Sequence, residues 1–93
     1  MSHDSSDQAV NRTSAAEVST VVQNAWSKSL ATESIEPETH FFDFGGHSVA
    51  AMRVMMQLRE ALGVTLPTRL IFDHPVLSEF TEETVKRVAD AQR

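Results

Sequence analysis

From Ser14 onward, apolar side chains return at intervals of three and four. Val18, Val21, Val22, Ala25, Trp26 and Leu30 fall on one face of a helix turning about 100° per residue. The run opens on Ser14-Ala-Ala-Glu17, a capping box in which each end takes a free amide of the other. The periodicity then stops. Residues 31 to 47, "ATESIEPETHFFDFGGH", hold Pro37 among Glu and Thr residues and predict a long ordered loop, with Ile35, Phe41, Phe42 and Phe44 pinning it to the core. Helical spacing resumes from about Ser48 to Leu62 and ends at Gly63, where a positive φ is wanted. "VTLP" reads as an extended link, since a strand at Val64 to Leu66 finds nothing to pair with. "TRLIF" reads as a single helical turn broken by "DHP". Pro75 is suited to the first position of a last helix that carries Val76, Leu77, Phe80, Val85 and Val88. The pattern predicts an all-α chain of three main helices and one short one.

The middle helix carries two apolar stripes. Ala51, Val54, Leu58 and Leu62, with Met55 at the edge, form the expected core stripe. Ser48, Val49, Met52 and Met56 fall on another side, beside Arg53, Arg59 and Glu60. A small bundle cannot bury both sides of one short helix. Either the preceding loop folds over the second stripe, or the stripe is a contact surface, a role that flexible, polarizable methionines suit.

Composition narrows the class. The 93 residues allow one small domain, and an apolar fraction of 41% is that of a globular chain. Residues 1–13 are poor in large apolar groups and predict a mobile tail, leaving a domain over 14–90 and a short tail at 91–93. With no cysteine, a packed core must hold the fold alone, which fits a reducing, cytoplasmic compartment. No apolar run of 18 residues exists, so nothing predicts a membrane span, and the N-terminus lacks the features of a secretory signal. A formal charge of −5 argues against nucleic-acid binding, which needs a basic stripe.

The candidate chemistry centres on Ser48. As the opening residue of a helix it is suited to cap it, and on that role alone its loss costs about 1 kcal/mol. "GHSVA" approaches the G-x-S-x-G elbow of hydrolases but lacks the buried strand and parallel sheet that the elbow requires. His40, Asp43, His47 and His74 have the ligand types for a metal but not the spacing, so no metal is expected. A further reading makes Ser48 a substrate. At a helix N-terminus its hydroxyl lies where amides and dipole favour a phosphate, the glycine pair gives access, and the modifying enzyme supplies the base. That reading needs no catalytic residue in this chain.

The stretch Phe41-Phe42-Asp43-Phe44-Gly45-Gly46-His47-Ser48-Val49 closely resembles the thiolation site of peptidyl carrier proteins of nonribosomal peptide synthesis, within the acyl carrier protein-like family. The resemblance runs on through Gly63, "VTLP", "IFDHP" and Phe80, over about residues 14 to 88. It implies a four-helix carrier-protein bundle with a short third helix and a long loop between helices 1 and 2. It implies a 4′-phosphopantetheine arm on Ser48, transferred from coenzyme A by a phosphopantetheinyl transferase, with an aminoacyl or peptidyl thioester on its thiol. Phe42, Asp43, Gly45, Gly46 and His47 would support the attachment site. An adenylation enzyme, condensation or tailoring enzymes and a thioesterase would be the partners, meeting a monomer at Val49, Met52 and Met56, with Ile71 and Phe72 as additions. His47 stands where related carriers of fatty-acid and polyketide pathways have Asp, which favours amino-acid cargo; an acyl carrier of a polyketide or hybrid pathway is the alternative, and a helical adaptor the rival class. Val49 and Phe44 replace leucines common in the family, with Phe44 expected to serve as an apolar anchor, and Val76 replaces a threonine that would cap the last helix. Met1 and the short polar lead resemble a free-standing carrier, although an excised piece with an added start codon reads the same way.

Overall fold

A computed structural model describes residues 13–92, so the tail expected over 1–13 lies outside the described residues except for Thr13. The chain forms α1 (Ala15–Leu30), α2 (Ser48–Leu62), α3 (Arg69–Asp73) and α4 (Leu77–Ala91). Among the described residues the β pairing is confined to an isolated bridge between His40 and Val76. No helix there is long and apolar enough to cross a membrane.

Each helix boundary has a local cause. The Ser14 hydroxyl accepts from the Glu17 amide at 3.1 Å, and Glu17 accepts from the Ser14 amide at 2.9 Å, so both orphan donors are satisfied. α1 ends on Ala31, held left-handed at φ 55° by bonds from its own amide and that of Thr32 back into the last turn. α2 ends on Gly63 at φ 70°, where the missing side chain removes the usual cost. Pro75 is not the first residue of α4: Val76 is its N-cap and Pro75 stands one residue outside, because the Pro75 carbonyl is used in pairing with the loop. The helix continues through Ala91, one residue past the unit expected from the sequence.

The core is one apolar cluster. Val18, Val22, Ala25 and Trp26 of α1 meet Ala51, Val54 and Leu58 of α2 and Leu77, Phe80 and Val88 of α4. Trp26 sits at its centre, edge-on to Phe41 at 5.0 Å and tilted against Phe80 at 5.6 Å. Thr84, the buried polar residue among those described, donates to the Phe80 carbonyl at 2.8 Å and carries no unmet bond.

The long loop is clamped to the first turn of α4. The Phe41 amide donates to Pro75 O at 2.7 Å, the Leu77 amide to Thr39 O at 2.9 Å and the Ser78 amide to Pro37 O at 2.9 Å. Two orphan amides of α4 are thereby satisfied by the loop instead of by a side chain. Phe41 drives into the core and fixes the loop from the other side. The two ends of the described chain also meet: Thr13 N donates to Gln92 Oε1 at 3.1 Å, and Gln92 Nε2 donates to Thr13 Oγ1 at 3.0 Å.

Candidate attachment site at the start of α2

Phe41 to Gly46 form a compact turn that delivers the chain to α2. The Phe44 amide donates to His40 O at 3.0 Å and the Gly46 amide to Phe41 O at 2.9 Å. The two glycines do different work. Gly45 has φ 104°, a conformation that side chains rarely adopt, with open space around it. Gly46 has no such angle, but a Cβ there would run into Phe41 Cδ2 and Cε2 and lie 2.6 Å from the Phe41 carbonyl oxygen. It is a close-packing glycine, held against the ring that anchors the loop.

His47, not Ser48, is the N-cap of α2. Its backbone is extended, and its Nδ1 accepts from the Ala50 amide at 3.4 Å while its carbonyl accepts from Ala51 at 2.8 Å. The expectation that Ser48 caps the helix is therefore corrected: Ser48 is already its first helical residue, and its hydroxyl is not needed to close the turn. Among the described residues nothing hydrogen-bonds that hydroxyl, and Ser48 is exposed. The Ser48 and Val49 amides likewise have no protein partner there, so two donors remain beside the hydroxyl. An exposed alcohol beside unpaired amides at the positive end of a helix fits an esterified phosphate.

The described residues do not form the hydrolase geometry. No strand leads into Ser48, and neither His47 nor His74 bonds its hydroxyl. His40 accepts from the Asp43 amide at 3.2 Å and sits 3.8 Å from its carboxylate. Among the described residues no cluster of acidic, histidine or cysteine side chains has the arrangement of a metal site.

The apolar face beside Ser48 lies open. Met52 is 54% exposed and Met56 60%, with Val49 equally accessible, so the preceding loop does not fold over the stripe. Phe72 of α3 is exposed at one edge and stacked on Phe42 at 5.0 Å, with the rings 16° from parallel. Ile71 does not belong to this surface. It is fully buried in the core, because α3 turns Leu70 and Ile71 inward together and leaves Phe72 outside. Phe44, expected as an anchor, is instead 44% exposed. Phe41 fills the anchoring position, and the turn then carries Phe44 out toward solvent near the glycine pair.

Comparison with known proteins gives a consistent result. A family model described as "Phosphopantetheine attachment site" matches residues 20–83. A component of the linear gramicidin synthase of Brevibacillus parabrevis is 39% identical over 64 residues, which are 69% of this chain and 1% of that protein. The chain thus spans about one hundredth of that relative's length. The structure of BlmI, a type-II acyl-carrier-protein from Streptomyces verticillus involved in bleomycin biosynthesis, superposes with a TM-score of 0.70 at 18% identity, covering 75% of this chain and 84% of BlmI. The crystal structure of holo T3CT superposes with a TM-score of 0.61 at 36% identity, covering 70% of this chain and 94% of that one.

Proposed function

The chain belongs to the phosphopantetheine attachment-site family, and from that premise we propose that it is a peptidyl carrier whose arm is joined to Ser48. The observation that carries this reading is the exposed, unbonded Ser48 hydroxyl at the first residue of α2, beside two unpaired amides. When bound, 4′-phosphopantetheine supplies a terminal thiol on which aminoacyl or peptidyl groups ride as thioesters. The chain's own residues do the rest. The Ser48 and Val49 amides and the α2 dipole favour the phosphodiester charge. His47 holds the first turn in place through Ala50. Gly45 turns the chain on an open side, and Gly46 lets that turn pack against the Phe41 ring, so together they set the loop that presents the hydroxyl.

Val49, Met52, Met56 and Phe72, joined by Phe44, form the surface that partner enzymes contact. A phosphopantetheinyl transferase, an adenylation enzyme, condensation or tailoring enzymes and a thioesterase are the partners this reading supplies. Each must bind and release, so each contact is small. The similarity to a gramicidin synthase and the His47 side chain before the serine support amino-acid cargo over a polyketide acyl chain.

The test is intact-mass spectrometry after incubation with coenzyme A and a broad-range phosphopantetheinyl transferase. The wild-type chain gains one phosphopantetheinyl group. Ser48→Ala gains none and keeps its melting temperature to within a few degrees, because the cap belongs to His47 and alanine is a good helix former. Mass gain by the alanine variant would move the site elsewhere. No gain by the wild-type chain would leave the helical-adaptor reading.

A further inference from the structure

The methionines of α2 are sorted by the fold into two classes. Met52 and Met56 are 54% and 60% exposed, while Met55, next to Met56 in sequence, is 5% exposed and belongs to the core cluster. Met52 and Met56 are one turn apart, on the stripe that begins at Ser48 and runs beside Val49. With Met55, Arg59, Thr65, Leu66 and Thr68 they line a cleft between α2 and the link to α3. Two accessible thioethers therefore stand side by side on the face assigned to partner contact, with a shielded thioether beneath them.

We propose that Met52 and Met56 form a redox-sensitive modification site that turns partner docking off without unfolding the chain. The oxidant is a hydroperoxide. A sulfur lone pair attacks the terminal peroxide oxygen and an S–O bond forms as the O–O bond breaks. The departing oxygen leaves with the proton as water or an alcohol. The sulfur gives up two electrons and the peroxide takes them, so thioether plus hydroperoxide becomes sulfoxide plus water or alcohol. The product replaces a polarizable apolar tip with a strong acceptor. Against a partner surface matched to the apolar tips, that acceptor would lose its water without a donor in return. The core is spared, since Ala51, Val54 and Leu58 point the other way and are buried. Enzymatic reduction of methionine sulfoxide makes the change reversible.

The inference rests on the assignment of this face to docking, and the experiment keeps the two apart. The intact chain is first shown to gain phosphopantetheine before any treatment; failure there removes the carrier reading itself. A second portion is exposed to dilute hydrogen peroxide, desalted, mapped by peptide mass spectrometry and assayed for the rate of loading at Ser48. Met52 and Met56 should convert several-fold faster than Met55, because access to the oxidant follows exposure. Loading should then slow about tenfold, the change made by a loss of about 1.4 kcal/mol in docking. The melting temperature should stay within a few degrees, and treatment with methionine sulfoxide reductases should restore the rate. A Met52→Leu/Met56→Leu chain, whatever its own untreated rate, should keep a treated-to-untreated ratio near one. Equal oxidation of all three α2 methionines overturns the proposal. So does normal loading of the oxidised chain, or an equal loss in the double-leucine variant.

Discussion

Gly46 lies against the Phe41 ring so closely that even one methyl group has no room. The obstruction includes the Phe41 carbonyl oxygen, which is backbone and cannot swing aside. Gly46→Ala should therefore cost about 2 kcal/mol, the range for overpacking a tight contact. Gly45→Ala meets no atoms and should cost about 1 kcal/mol, from backbone conformation alone. Urea melts of both variants, alone and combined with Phe41→Leu, separate the causes. Gly46→Ala and Phe41→Leu should be partly non-additive, because the smaller side chain relieves the ring contacts and leaves the carbonyl contact in place, whereas Gly45→Ala and Phe41→Leu should add. Additivity in both pairs would mean that the ring is not what excludes a side chain at residue 46. The glycine pair is legible in the sequence as a turn, but the difference between its members is not. One answers to a backbone angle and the other to a ring five residues away, and only the folded turn brings that ring near. His47 is a similar case: an imidazole caps a helix only when its rotamer aims Nδ1 at the third amide, which residue type alone does not state.

At the scale of elements, α4 begins without a side-chain cap. Val76 has the extended backbone of an N-cap but no atom to accept a bond. The loop serves the Leu77 and Ser78 amides through Thr39 and Pro37, and the Phe80 amide reaches Val76 O. The Glu79 amide is the one left for a side chain. Val76→Thr would place a hydroxyl there and, with Glu79 three residues on, complete a capping box like that of α1. It should raise stability by about 1 kcal/mol, measured as a shift in the denaturation midpoint at constant slope; Val76→Ala should give no gain. An unchanged midpoint for the threonine variant would show that the loop already closes this end. The helices themselves are legible in the sequence, because α1, α2 and α4 are long enough for periodicity to fix an inner face. The five-residue α3 is too short for that, so its pattern does not reveal that Ile71 faces the core while Phe72 faces out. The clamp between loop and α4 is also hidden, since backbone-to-backbone bonds leave no mark on residue type.

For the whole molecule, the least local contact is the one between Thr13 and Gln92, 79 residues apart in sequence and bonded twice. No spacing rule links such a pair, so it emerges only when the bundle closes. Its presence predicts that the order of the elements can be rearranged. A circular permutant that joins Thr13 to Gln92 through a short glycine linker, opened between exposed Glu33 and Ser34, should melt cooperatively and load at Ser48. A permutant that melts without cooperativity would show that continuity from α1 into the loop is required. The same contact has a mechanical side. Anything joined before Thr13 or after Gln92 pulls at one spot. That spot lies at the far end of α4 from the turn pinned to the Ser48 loop, about 22 Å along a helix of this length. A tether at either end would therefore load the bundle at one place, a helix length away from the turn that holds the serine.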